Sequence, residues 1–175
     1  KPGAKVASEV TRNGKIGVIA TEATISSRIY NQYITELNKN VTIYGKACPL
    51  FVPLVEEGLL EDPVTDEIAK RYLAELIDLD IDTLILGCTH YPLIRETIGR
   101  TIGDEVSLVN PAYETAVELK KLLQEKELLN DRHPALGENQ YQFYVSDTAE
   151  KFKTFANSII KYGILSAKTV HIEQY

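Results

Sequence analysis

The chain has 175 residues, 44% of them hydrophobic, and is therefore long enough and apolar enough to bury a core. Its formal net charge of −6 and isoelectric point near 5.2 disfavour a nucleic-acid partner, because phosphate binding needs clustered lysines and arginines. No stretch approaches the roughly 20 apolar residues that span a bilayer, so we expect no membrane partner.

The first half of the chain alternates strand and helix patterns. Residues 15–20 predict a strand, residues 26–38 a helix, and residues 41–44 a second strand. Asp62-Pro63 is typical of a helix start, and apolar residues at helical spacing follow it. Residues 83–86 predict a third strand, in which Leu84-Ile85-Leu86 is a short, uninterrupted apolar run, as expected of a parallel strand that helices cover on both faces.

The second half continues the same alternation. The predicted elements are a helix over 93–102 that ends near Gly103, a strand at 107–109, a helix that begins at Asn110-Pro111, a polar linker that contains His133, Pro134 and Gly137, a strand at 140–145 and a helix over 146–160. This pattern predicts an α/β fold with a mainly parallel sheet flanked by helices. The chain contains no internal repeat.

The most informative segment is the corner that follows the third predicted strand. Gly87 leads into Cys88, Thr89 and His90, and Pro92 suits the first turn of the next helix, which Thr89 can cap. Ligands gather at the carboxyl ends of parallel strands, and the unpaired amides of a helix start favour an anion. The corner therefore predicts a reactive thiol beside an imidazole; a small buried structural cysteine is the alternative.

Three segments of the chain carry a family resemblance. They are GVIATEAT at residues 17–24, CPLFVPLVEEG at 48–58 and GCTHYPL at 87–93. Together, and in this order, they resemble bacterial glutamate racemase. The resemblance covers essentially the whole chain but only the later two-thirds of the family. The resemblance implies that residues 1–110 form the second α/β lobe and that residues 111–175 return to the first lobe. In the absence of the first lobe, we expect residues 111–175 to expose an apolar surface.

The same resemblance shows what the chain lacks. An opening Asp-Ser-Gly-rich segment and a first cysteine in a Cys-Asn-Thr motif complete the family's active site, and neither occurs here. Cys48 precedes Pro-Leu and matches a different, non-catalytic segment. We therefore expect a truncated racemase that carries one of the two acid-base thiols and is nearly inactive alone.

The resemblance also implies roles for six residues. Cys88 is the second thiol, which exchanges a proton on the face of the L-enantiomer, and His90 is its acid-base or polarising partner. Glu56 or Glu57 supports the histidine, and we choose Glu56. The substrate-binding hydroxyls are those of Thr21, Thr24 and Thr89. The alternatives are a structural histidine, solvated loop carboxylates and threonines that serve as helix caps.

We expect no cofactor. Residues 17–21 lack the second and third glycines of a dinucleotide fingerprint, no Walker loop is present, and the family works without pyridoxal phosphate. A metal site that combines Cys48, Cys88, His90 and Glu56 lacks the usual zinc spacing. The expected partner is the small-molecule substrate glutamate. We expect a cytoplasmic location with both thiols reduced, and the family suggests a homodimer.

The leading functional hypothesis is interconversion of L- and D-glutamate, which supplies D-glutamate for peptidoglycan. One alternative is a two-thiol racemase for aspartate or another amino acid. A second is a non-catalytic ligand-binding module that keeps the fold; the missing first cysteine favours it and the intact GCTH motif opposes it.

Overall fold

A computed structural model of the chain describes residues 1–130, 141–160 and 166–174. By its internal contacts the chain forms two units, residues 1–129 and residues 130–175. The first unit includes a helix that begins at Pro111 and packs on the first helix of the chain, where a Cβ atom on Gly3 would lie 2.9 Å from Pro111 Cβ. The lobe boundary at residue 110, which the resemblance implies for the family fold, stays a prediction.

The first unit is built on a four-stranded sheet in which all strands are parallel, in the order β2-β1-β3-β4. This confirms the predicted α/β fold. The strands are β1 (Lys15–Ala20), β2 (Thr42–Ala47), β3 (Thr83–Leu86) and β4 (Ser107–Val109). β1 and β3 occupy the centre and are buried almost throughout, because neighbouring strands cover their edges and helices cover their faces.

Helices flank the sheet. They are α1 (Pro2–Val10), α2 (Glu22–Ser26), α3 (Ile29–Leu37), α4 (Phe51–Glu56), α5 (Pro63–Asp78), α6 (Arg95–Ile102) and α7 (Pro111–Glu125), with a 3₁₀ helix at Tyr91–Ile94. Two predicted helix starts are confirmed by their caps. The side chain of Asp62 accepts a hydrogen bond from the Val64 amide, and that of Asn110 accepts from the Ala112 amide.

The structure corrects the sequence prediction in several elements. The helix predicted over 26–38 is broken, because Arg28 adopts a left-handed conformation (φ 52°) that separates α2 from α3. The helix predicted from residue 93 begins as the 3₁₀ helix at Tyr91, and Thr89 does not cap it. The two short helices α1 and α4 were not predicted, since both are shorter than the window of about 11 to 18 residues in which helical periodicity is recognised.

The amino-terminal edge of the sheet is held by Asp82, just before β3. Its carboxylate accepts hydrogen bonds from the Thr11 hydroxyl (2.7 Å) and from the amides of Arg12 and Asn13 (2.6 Å each). The neighbouring Thr83 hydroxyl donates a further bond at 2.9 Å. Asp82 is 7% exposed, and it ties the connection between α1 and β1 to the centre of the sheet.

The second unit pairs two short parallel strands, β5 (Phe143–Val145) and β6 (Ala167–Thr169), beside helix α8 (Ala149–Ile159). Phe143 and Phe152 pack with their ring centroids 5.9 Å apart. β5 and α8 lie within the predicted strand and helix, whereas β6 was not predicted. The polar linker with His133, Pro134 and Gly137 lies outside the described residues.

Candidate active site

The carboxyl ends of three neighbouring strands meet at one edge of the sheet. Beyond the end of β3, the Gly87 amide donates to Ile19 O at 2.7 Å; beyond the end of β2, the Cys48 amide donates to Ala20 O at 2.9 Å. The chain therefore leaves β1 at Thr21, β2 at Cys48 and β3 at Gly87 along the same edge. This is the edge at which open α/β sheets bind ligands.

Cys88, His90 and Glu56 come together at this edge. Cys88 Sγ lies 3.9 Å from His90 Nδ1, and His90 Nε2 lies 3.5 Å from Glu56 Oε1. The Cys88 side chain is partly exposed rather than sealed in the core, and the His90 side chain is 25% exposed. The imidazole thus lies between the thiol and the carboxylate, and all three side chains are accessible to solvent.

The neutral imidazole has one tautomer that suits proton exchange with the thiol. With the proton assigned to Nε2, the nitrogen beside the Glu56 carboxylate, Nδ1 is left to accept the Cys88 proton. Thr89 Oγ1 also lies 3.4 Å from this Nδ1. The arrangement can therefore move a proton between Cys88 and the imidazole, and the carboxylate stabilises the imidazolium that forms.

Helix α4 carries Glu56 to the histidine. Phe51 and Val55 on this helix are fully buried, which fixes its rotation and leaves Glu56 at its carboxyl-terminal end beside the turn. Glu57 follows as an exposed residue, with no ion pair to a described residue. Of the two glutamates that the sequence left open, the structure brings Glu56 to His90.

Tyr91 connects α4 to the turn that carries Cys88 and His90. It is fully buried, its hydroxyl donates to Cys48 O at 2.9 Å, and its ring packs edge-on against Phe51 with centroids 5.3 Å apart. Burial raises the pKa of the Tyr91 hydroxyl well above its usual range, so the group stays protonated as a donor. Sequence reasoning missed this residue because its role depends on a hydrogen bond to a backbone oxygen 43 residues earlier in the chain, which no local pattern shows.

Cys48 lies at the same edge but differs from Cys88 in its surroundings. It is fully buried, and its Sγ lies 3.7 Å from Lys46 O. Burial raises the pKa of the Cys48 thiol to about 12, with a smaller opposing effect of the Lys46 charge. The thiol therefore stays protonated near neutral pH and cannot act as a base there.

The two threonines that follow β1 place hydroxyls at this edge. Thr21 Oγ1 and Thr24 Oγ1 lie 3.1 Å apart, and Thr21 makes no side-chain capping bond to α2 although it precedes that helix. Both are partly exposed, and Thr89 on the Cys88 turn is exposed. These hydroxyls can bind a polar ligand.

The described residues contain no cluster of three or more His, Cys, Asp or Glu side chains that is arranged to hold a metal ion. Nor does any helix in that part of the chain have the length and apolar character needed to cross a membrane.

Comparison with known proteins agrees with this geometry. Residues 2–119 match the family described as Asp/Glu/hydantoin racemase. The chain belongs to this family. Its match spans α1, the whole four-stranded sheet and most of α7, and so includes every residue of the candidate site.

Individual relatives are named more narrowly. The chain is 44% identical over 160 residues to a glutamate racemase of Geobacter metallireducens, a match that covers 91% of this chain. Its structure resembles that of glutamate racemase isoform RacE1 from Bacillus anthracis, with a TM-score of 0.89, 37% identity and 98% of this chain covered. It also resembles the glutamate racemase of Francisella tularensis in complex with D-glutamate, with a TM-score of 0.86, 34% identity and 99% covered.

The chain spans only part of these proteins: 58% of the Geobacter relative, 62% of the Bacillus chain and 63% of the Francisella chain. The resemblance that the three sequence segments carry is thus confirmed. The first segment passes through the carboxyl edge of the sheet, and the other two begin there. The roles of the individual site residues stay predictions.

Proposed function

We propose that this chain is the part of a glutamate racemase that supplies one of two acid-base thiols. The proposal rests above all on one observation: the side chains of Cys88, His90 and Glu56 lie in contact order, within 3.9 Å and 3.5 Å of one another, at the carboxyl edge of the sheet. The names of the relatives support glutamate as substrate. D-Glutamate made in this way would serve peptidoglycan synthesis, and the protein would work in the cytoplasm with reduced thiols.

The proposed chemistry is a proton transfer at the α-carbon. The Cys88 thiolate takes the α-proton of L-glutamate and becomes a thiol, and the electron pair stays on the α-carbon. A second thiol on the opposite face then donates a proton to that carbon and gives D-glutamate; the reverse reaction exchanges the two roles. His90 exchanges the proton of Cys88 after each turnover, and Glu56 stabilises the imidazolium.

Substrate binding is proposed to involve Thr21, Thr24 and Thr89, whose hydroxyls can bind the polar groups of the amino acid. The solved Francisella relative holds D-glutamate, which supports a C5 dicarboxylate over aspartate. No cofactor enters the proposed reaction.

A further part of the proposal concerns the segment from residue 111 onward. Helix α7 has no buried residue, and Tyr113, Leu119 and Leu122 on it are 64%, 51% and 44% exposed. In the second unit, Tyr144 and Ile172 are 53% and 61% exposed. We propose that these apolar side chains pack against the part of the family fold that this chain does not match. A homodimer stays a prediction.

The test is racemisation of L-glutamate, followed by the decay of its circular dichroism. The chain alone should produce no enzyme-like decay, because one thiol cannot serve both faces of the α-carbon. Adding the N-terminal part of the Geobacter racemase that lies outside the match, here called the complementing segment, should produce turnover. L-Aspartate in place of L-glutamate is the control and should be inert.

Two results would contradict the proposal. Rapid racemisation by the chain alone would show that a second thiol is not needed. Turnover of L-aspartate but not of L-glutamate by the complemented chain would assign a different substrate.

A further inference from the structure

Tyr91 makes hydrogen bonds to two separate parts of the candidate site. Its amide donates to Cys88 O at 3.2 Å within the turn, and its hydroxyl donates to Cys48 O at 2.9 Å, where β2 leads into α4. Cys48 O also accepts from the Phe51 amide at 3.2 Å, so the carbonyl that receives the phenol lies directly at the start of α4. One fully buried side chain therefore joins this turn to the start of that helix.

The position of Glu56 is sensitive to how α4 begins. Glu56 is the last residue of this six-residue helix, which is about 9 Å long, so a tilt of about 5° at its start would move its end by about 0.8 Å. The distance of 3.5 Å from Glu56 Oε1 to His90 Nε2 is already longer than that of an ordinary charge-assisted hydrogen bond. Contact between the carboxylate and the imidazole therefore depends on a fixed placement of α4.

The hydroxyl of Tyr91 can be separated from its ring. The rings of Tyr91 and of Tyr72 on α5 each pack edge-on against Phe51, with centroids 5.3 Å apart, and these contacts do not need the hydroxyl. Burial raises the pKa of Tyr91, and negative charge on Cys48 and Cys88 raises it further, so the hydroxyl stays a donor wherever the thiols are alkylated. Removal of the hydroxyl alone thus releases the start of α4 and keeps the aromatic packing.

We propose that Tyr91 is a positioning residue for the proposed reaction: the hydrogen bond from its hydroxyl to Cys48 O holds α4 so that Glu56 stays within reach of His90. The inference rests on the proposed function and deepens it. Tyr91 takes no proton from the thiol or the imidazole. It acts through Glu56, which stabilises the imidazolium and with it the neighbouring Cys88 thiolate.

A double-mutant cycle distinguishes this role from a general contribution to stability. The variants are Tyr91→Phe, Glu56→Gln and the two combined. The measured quantity is the rate at which iodoacetamide alkylates Cys88 at pH 7, with peptide mass spectrometry to assign the modified cysteine. The matched control is Thr11→Val, which removes a hydroxyl hydrogen bond of 2.7 Å to Asp82 at the opposite, amino-terminal edge of the sheet. Urea denaturation of each variant measures its stability and verifies that it is folded.

We expect Tyr91→Phe and Glu56→Gln each to slow alkylation of Cys88 about threefold to tenfold, and the double variant to be no slower than Glu56→Gln alone, because both changes remove the same contact. Thr11→Val should lower stability and leave the alkylation rate unchanged. An unchanged rate in Tyr91→Phe would overturn the inference. A double variant slowed by the product of the two single effects would also overturn it, since Tyr91 would then not act through Glu56.

The alkylation rate needs no turnover, so it separates this inference from the proposed function. If the complemented chain fails to racemise glutamate while the two substitutions stay non-additive in alkylation, the proposed function is refuted and the positioning role of Tyr91 stands. If the complemented chain racemises glutamate, Tyr91→Phe should lower kcat and leave KM unchanged. A change confined to KM would contradict the positioning role and leave the proposed function standing.

Discussion

Cys88 and Cys48 follow β3 and β2, the two strands that flank β1, at the same sheet edge, yet their surroundings predict opposite reactivity. Cys88 is partly exposed and faces His90, whereas Cys48 is fully buried with its pKa raised to about 12. In the folded chain at pH 8, we expect iodoacetamide to modify Cys88 at least tenfold faster than Cys48, because the thiolate is the reactive form and Cys48 has almost none. Peptide mapping measures both rates; equal modification of the two would contradict this account of the site.

The two adjacent glutamates provide a matched pair for testing the histidine contact. Glu56→Gln removes the carboxylate that lies 3.5 Å from His90 Nε2, while Glu57→Gln makes the same chemical change one residue later on an exposed side chain. In the complemented chain we expect kcat to fall about tenfold for Glu56→Gln, less than the loss of about 10²-fold or more expected for a direct acid-base group, because Glu56 acts through His90; kcat should be unchanged for Glu57→Gln. A loss of kcat in Glu57→Gln with kcat unchanged in Glu56→Gln would assign the supporting role to Glu57.

Individual residues of the site were predictable to different degrees. Cys88, Thr89 and His90 are adjacent in sequence, so their shared turn could be inferred from a strand pattern and a helix start. The contact with Glu56 joins residues far apart in the chain, and it was expected through the family resemblance alone. Tyr91 could not be assigned a role from the sequence, because its importance depends on which buried atoms surround its phenol.

At the scale of elements, the approach of β3 to β1 depends on Gly87. A Cβ atom there would lie 2.8 Å from Ile19 O and 3.1 Å from Ala20 Cβ, and backbone cannot give way cheaply. We expect Gly87→Ala to lower the free energy of unfolding by about 1 to 3 kcal/mol, as overpacking does. It should also slow alkylation of Cys88, because the turn must shift.

Gly99 provides the control for that substitution. It lies inside α6, where a Cβ atom would meet Leu108 Cδ1 at 3.7 Å, an ordinary contact. Gly99→Ala should raise the free energy of unfolding by about 0.5 to 1 kcal/mol through helix propensity, measured by urea denaturation. Equal stability of the two alanine variants would mean that the close packing at Gly87 is not needed.

Asp82 makes the stability of the sheet depend on pH. Burial raises its pKa, but hydrogen bonds from the Asn13 amide, the Thr11 hydroxyl, the Arg12 amide and the Thr83 hydroxyl together lower it below its ordinary value. A carboxylate whose pKa is lower in the folded state stabilises the fold above the unfolded-state pKa of about 3.9, and this contribution is lost as the pH falls through the folded-state value. Stability should therefore decrease on acidification below about pH 4.

The substitution Asp82→Asn tests this dependence. At pH 7 we expect a loss of about 3 kcal/mol of unfolding free energy, because an amide cannot accept all of these bonds, and the difference from the unmodified chain should shrink at pH 3. Asp80→Asn is the control: Asp80 is 84% exposed and pairs with Lys15 at 3.4 Å, so its loss should cost less than about 0.5 kcal/mol. A loss of unfolding free energy in Asp82→Asn that is the same at pH 7 and at pH 3 would contradict the predicted pH dependence.

Element prediction succeeded where a local signal was strong. Asp62-Pro63 and Asn110-Pro111 predicted helix starts, and the strand predicted at 83–86 around the apolar run 84–86 has the bounds of β3. It failed where tertiary packing decides the conformation. The short helix α4 is held by the packing of its buried Phe51 and Val55, and short helices are not stable by themselves. The left-handed conformation of the exposed Arg28 has no local signal in the sequence.

At the scale of the whole molecule, the alternation of strands and helices was enough to predict a parallel α/β sheet, because few other folds accommodate it. The position of the unit boundary was not predictable in the same way. Asn110-Pro111 marks a helix start in the sequence, but the packing of α7 on α1 extends the first unit to Leu129. The pattern of one helix cannot show which earlier helix it packs against.

The central claim is that Cys88 exchanges a proton with the α-carbon of glutamate. The most direct measurement is incorporation of α-deuterium into L-glutamate in deuterated water by the complemented chain, followed by proton magnetic resonance. We predict that Cys48→Ala exchanges at a rate close to that of the unmodified chain and that Cys88→Ser loses at least a hundredfold, because a serine hydroxyl is not ionised near neutral pH. Exchange by Cys88→Ser at the rate of the unmodified chain would contradict the claim.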